Sequence, residues 1–301
     1  MRLQLIWQVA KRALLWVGLA LCGLALWRTR TLSGEAVAQM PASGWVLISV
    51  LLAGIWLLAT ASWRTYLRAY ALQDTRWTTA ARQLGLLLIG KYLPGGIFGF
   101  LMRIYDQPQE QRRKLFHASL VDQCSGLALP ILLGLLLTFM ALHEAWPAAL
   151  LLPLLPTVAV AAIMTMHALA RHVPKISAHF ENAPPPRREL LLATSLQLLQ
   201  VISWAALAAF LTTQLYGLNT QSALGVSGAY LLAVSGGMLV IILPSGIGAR
   251  EAILVALGSH WIETNQAIHL AALLRILSSA VDVVAGAAAA AIKSGSLNAN
   301  R

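Results

Sequence analysis

Stretches of apolar residues about as long as a bilayer is thick recur along this chain, and they fix its solvent before any motif is considered. They run from Ala13 to Trp27, Gly44 to Ser62, Phe116 to Leu142, Ala149 to Ala170, Leu190 to Gly217 and Leu270 to Ile292. A helix rises about 1.5 Å per residue, so roughly 20 apolar residues cross the hydrocarbon core. The first stretch is slightly short of that and the others reach it. With 58% apolar and 11% charged residues in 301, the chain carries more apolar surface than one soluble core can bury. The expected fold class is an all-α polytopic membrane protein, one membrane domain over residues 1–301.

Two further apolar segments, about 83–102 and about 223–258, are interrupted by Pro and Gly. Lys and Arg collect in short cytoplasmic loops, and this bias decides whether those segments cross. If both cross, basic residues divide almost evenly between the two sides. If both dip in and return, 17 of the 22 Lys and Arg fall on the cytoplasmic side, with Arg28, Arg30 and Arg250 outside and Lys91 and Arg275 in the membrane. The second arrangement follows: six transmembrane helices, two re-entrant broken helices and both termini cytoplasmic. Lys11 and Arg12 precede an uncleaved first helix, because Arg28 to Ala38 is too long and too basic for the region before a signal-peptide cut. Trp27, Trp45, Trp63, Trp146 and Trp261 fall at segment ends, where the indole ring favours the headgroup layer; Trp16, Trp56 and Trp204 are expected to pack or meet lipid.

The two interruptions match. Leu93-Pro94-Gly95-Gly96-Ile97 and Leu243-Pro244-Ser245-Gly246-Ile247-Gly248 lie 150 residues apart. Each sits between the second and third spans of its half, and the halves, 1–145 and 146–301, start on opposite sides. That is an inverted-topology repeat, whose binding site is expected near the midplane at the discontinuous helices. Proline removes an amide donor and clashes with the preceding turn, while glycine permits positive φ, so Leu-Pro-x-Gly breaks a helix. The freed backbone groups cannot be satisfied by lipid and must face protein or a wet cavity. A helix start there suits an anion such as a lipid phosphate.

Ionisable side chains at membrane depth are costly and mark candidate sites. Six qualify: Lys91, Asp122, Arg250, Glu251, Arg275 and Asp282. Lys91 either serves the first break or snorkels to the interface. Arg103, after the same break, is either part of the site or a cytoplasmic anchor. Glu251 is placed to cap a helix beginning after the second break, and Arg250 has the planar fork that fits phosphate oxygens. Asp122 and Arg275 either pair with each other or line a pathway.

Nucleic acid is not an expected partner despite the net charge of +11, because the basic residues sit in loops between spans. There is no Gly-x-Ser-x-Gly, phosphate loop, His-Glu-x-x-His or Cys-x-x-Cys, so no catalytic residue, metal or cofactor is expected. Cys22 and Cys124 lie within apolar segments and read as packing residues.

Lys91-Tyr92-Leu93-Pro94-Gly95-Gly96 with Arg103, Asp122 in the next span, and Leu243-Pro244-Ser245-Gly246-Ile247-Gly248-Ala249-Arg250-Glu251 resemble the transmembrane, flippase-like region of lysylphosphatidylglycerol synthases, over nearly the whole chain. The resemblance implies translocation of a phospholipid or lipid-linked head group across the bacterial cytoplasmic membrane. It places Pro94, Gly95, Gly96, Arg103, Pro244, Gly246, Gly248, Arg250 and Glu251 near that head group; Lys91, Asp122, Ser245 and Arg275 complete the substrate-binding set. Two departures stand out. Gln123 follows Asp122 where the family often has a basic residue, and no aminoacyl-transfer domain follows residue 301, so lysyl-lipid synthesis is not expected. The expected partners are a membrane lipid with an anionic or phosphate-bearing head group, a lipid-synthesis enzyme and a second copy of the chain. Alternatives are a non-transporting subunit that positions a lipid-modifying enzyme, and an intramembrane enzyme using Asp122, Glu251 or Asp282.

Overall fold

The computed structural model describes residues 40–72, 74–92, 98–171, 185–240 and 243–292. The first apolar stretch, with Cys22, Trp16 and Trp27, lies outside these residues. So does the first break, with Pro94, Gly95 and Gly96. Among the described residues the chain forms nine α-helices and no strands. They are α1 (Ala42–Ala69), α2 (Trp77–Gly90), α3 (Phe98–Tyr105), α4 (Arg112–His143), α5 (Leu154–Arg171), α6 (Arg187–Tyr216), α7 (Thr220–Leu239), α8 (Ala249–Gly258) and α9 (Thr264–Ala291).

Local chemistry places the boundaries. Pro184, Pro185 and Pro186 precede α6, and Gly217 ends it with φ of 63°, the left-handed conformation that suits glycine after a helix. Asn219 caps α7 by accepting from the Ser222 amide at 2.8 Å. The turn between α1 and α2 is clasped by Asp74, whose carboxylate accepts from both the Arg76 guanidinium and the Thr79 hydroxyl. The Arg76 hydrogen bonds hold this carboxyl down at about 2. The clasp therefore persists above the ordinary aspartate range, near pH 4, and loosens as pH falls towards 2.

Four of the expected spans lie within or nearly within α1, α4, α6 and α9, all long and apolar enough to cross a membrane. The stretch from Ala149 to Ala170 departs from expectation. Residues Trp146–Leu151 form a 3₁₀ segment, and the α-helix starts only at Leu154, running 18 residues to Arg171. Pro147 and Pro153 sit ahead of this late start, where a prolyl nitrogen cannot donate to the helical ladder. A second departure is α7. Its 20 residues are also long enough to cross, although the sequence reading places them inside a re-entrant segment.

Both interrupted segments fold as antiparallel helix pairs. The α2–α3 pair is so close that a Cβ on Gly90 would lie 2.2 Å from the Gly99 Cα. Arg82, near the start of α2, pairs with Asp106, just past α3, at 2.9 Å. The two ends of the pair therefore lie side by side. The α7–α8 pair behaves alike: a Cβ on Gly237 would meet Arg250, and one on Gly225, near the start of α7, would meet the Trp261 ring.

Small residues let the remaining helices approach. Gly85 of α2 lies against Ala285 and Ala289 of α9, and Gly228 of α7 against Gly134 of α4, the close packing that drives helix association where lipid offers no hydrophobic force. Each pair thus packs on the last helix of the other half, and α1 packs on α6. One main core joins α1, α4, α5, α6, α7, α8 and α9. A smaller one gathers the C-terminal end of α1 with residues of α2, α4, α5 and α6.

Candidate functional site

The end of α2 meets the second break. The Ser245 amide donates to the Lys91 carbonyl at 3.0 Å, tying the end of α2 to the turn before α8. That turn is strained in the way its residues allow: Ser245, Gly246 and Gly248 all have positive φ, 52°, 65° and 87°. A Cβ on Gly246 would lie within 2.8 Å of the Gly237 backbone, so the site requires glycine for space as well as conformation. Arg275 of α9 donates to the Ser245 carbonyl at 3.0 Å, satisfying one of the groups the break sets free.

A cavity of about 180 Å³ opens at this junction. Its walls are largely apolar, including Ile55, Leu84, Leu88, Val201 and Val234, with the indoles of Trp56 and Trp204 and with Pro130, the proline inside α4. Three charged side chains line it: Lys91, Arg250 and Asp282. The Lys91 ammonium reaches both oxygens of Asp282, at 2.9 and 2.8 Å, and the Tyr92 hydroxyl donates to the same carboxylate at 2.6 Å. Asp282 is 4% exposed and the Lys91 side chain 34%. Arg250 is held differently. One guanidinium nitrogen donates to the Tyr230 hydroxyl at 2.6 Å, and the group lies 4.9 Å from the centre of the Tyr230 ring. Among the described residues no carboxylate comes within ion-pair distance of Arg250. The cavity carries two cations and one anion, and one of the cations, the Arg250 guanidinium, has donors to spare among the described residues.

Several site residues fall elsewhere. Glu251 accepts from the Gly248 amide at 2.7 Å, so the start of α8 is capped by its own carboxylate rather than left as an open anion site. Glu251 also lies 3.8 Å from the Arg275 guanidinium. Arg275 thus braces the break and pairs with Glu251, not with Asp122. Arg103 is 0% exposed, so it is no surface anchor. It bonds Asp122 at 2.7 Å and stacks on Trp63 at 3.4 Å, apart from the residues that line the cavity. Asp122 therefore finds its cation on α3 despite Gln123 beside it. Trp63, expected in the headgroup layer, is 1% exposed and donates to Gln83. Arg250 faces the cavity rather than an external loop, and Lys91 pairs there instead of snorkelling.

Sequence reasoning flagged Asp282 as an intramembrane charge but did not group it with Lys91. Their separation of 191 residues hides the pair, and the only signal was the cost of an acid in an apolar run. Tyr230, Trp56 and Trp204 carried no signal.

These features define a multi-pass α-helical membrane protein in which α1, α2, α4, α6, α7, α8 and α9 line a charged cavity. The sequence profile of the lysylphosphatidylglycerol synthase TM region matches residues 15–286. The chain belongs to that family, which ties it to modification or translocation of membrane lipid. Comparison with curated proteins and with solved structures found no match.

Proposed function

We propose that this protein is a translocator that moves an anionic, phosphate-bearing head group, of a phospholipid or a lipid-linked substrate, across the bacterial cytoplasmic membrane. The observation that carries this reading is Arg250, a guanidinium without a carboxylate partner among the described residues, on the wall of a mostly apolar cavity. A charge-assisted hydrogen bond to a phosphate would use its free donors. The apolar walls suit acyl or prenyl carbons near the head group.

The packing supports an alternating-access plan. Exchanging α1 with α6, α2 with α7, α3 with α8 and α4 with α9 maps the α2–α9 contact onto α7–α4, α2–α3 onto α7–α8, and α3–α4 onto α8–α9. That pattern is what an inverted repeat produces. The return of Asp106 to Arg82 supports a re-entrant first pair, and the loop charges favour both chain ends on the cytoplasmic side. No nucleotide-hydrolysis motif is present in the sequence, so movement is facilitative or coupled to an ion gradient.

Two experiments test this. In liposomes containing the purified chain, tail-labelled anionic phospholipid is expected to exchange leaflets faster than in empty liposomes; no movement above background for any lipid class, lipid-linked substrates included, overturns translocation. Cysteines placed at Asp74 and Pro108 are expected to react with an impermeant reagent from the same side. Labelling from opposite sides overturns the re-entrant reading.

A further inference from the structure

The cavity's three charges are not equivalent. Asp282 is committed to Lys91 and Tyr92 by three contacts of 2.6 to 2.9 Å, while Arg250 has, among the described residues, only the Tyr230 hydroxyl. The next charges, Arg275 and Glu251, face each other. The uncompensated charge of the cavity is therefore one positive unit, located at Arg250. Were Asp282 neutral, it would be two.

We propose that Asp282 is a specificity-determining residue that sets the charge of the head group. By neutralising Lys91 it matches the cavity to a phosphodiester, which carries one negative charge, and disfavours a phosphomonoester, which carries up to two. This rests on the cavity being the head-group site. In a largely apolar enclosure an unmatched charge is expensive, so a second negative charge would need a second free cation. Asp282 already holds that cation.

A purely structural pair would stabilise the junction of α2 with α9 without altering charge preference, and this difference makes the proposal testable. The full chain, in phosphatidylcholine nanodiscs at pH 7.5, is titrated with tail-labelled phosphatidylglycerol and with phosphatidic acid of the same chains. Phosphatidic acid has a second ionisation that the phosphodiester lacks, so it alone can bring more than one negative charge to the cavity. Wild type is expected to prefer phosphatidylglycerol. Asp282→Asn is expected to shift the ratio of dissociation constants towards phosphatidic acid by about tenfold, since a unit charge a few ångströms away at an intermediate dielectric is worth at least that. The double variant Lys91→Gln, Asp282→Asn restores the count of one and is expected to return the ratio to within about twofold of wild type.

Should Asp282→Asn fail to fold, Lys91→Gln alone serves. It leaves Asp282 unmatched, and phosphatidic acid is then expected to weaken more than phosphatidylglycerol. An unchanged ratio in a folded single variant overturns the role of Asp282, whereas wild type that binds neither lipid overturns the head-group site itself.

Discussion

Arg250→Gln is expected to slow lipid movement in reconstituted vesicles at least about tenfold while leaving the helices packed. Hydrogen bonds to a charged group are worth about 1.5–3 kcal/mol, and 1.4 kcal/mol is a factor of ten. A phosphate that lost this guanidinium would bind and pass correspondingly less well. Folding should survive for a reason visible in the geometry. Arg250 contacts a hydroxyl and a ring of Tyr230 rather than a buried carboxylate, so its removal strands no anion. Arg250→Lys is expected to fall between the two, because an ammonium keeps the charge but not the fork. A folded Arg250→Gln protein that moves lipid at the wild-type rate would remove the cavity from the translocation path.

How far the sequence reaches is clear from particular residues. Spans such as Leu190 to Gly217 are legible because length and apolarity are local properties, and the second break because Pro244, Gly246 and Gly248 act on the backbone next to them. Long-range pairings are not legible. A membrane helix apolar all round shows no face by periodicity, so nothing marks Asp282 as facing Lys91, or Tyr230 as facing Arg250. Trp63 shows the same limit. An indole at the end of an apolar run suits the headgroup layer equally well whether or not a guanidinium later stacks on it. Charge counting placed Arg250 outside because the rule sees loops, and a residue folded back into a cavity counts as one.

Arg103→Met is expected to be the most damaging substitution to stability, costing about 3–5 kcal/mol, the usual penalty for breaking a buried ion pair from one side. The guanidinium is completely buried, with one nitrogen on Asp122 and its plane over Trp63. Its Nε and Nη2 find no partner among the described residues, so the pair is not an optimised network. Without Arg103, Asp122 would keep only weak contacts from Gln123 and Gln197, each at 3.4 Å. The same incompleteness sets the outcome of removing both charges. Well-packed apolar replacements for a buried pair are often neutral or stabilising, so Arg103→Met with Asp122→Leu should recover most of the loss. A thermal-unfolding cycle in one detergent reads this as strong coupling between the two sites. Costs that simply add would mean that the 2.7 Å contact contributes nothing of its own, and that Arg103 is held instead by its stacking on Trp63.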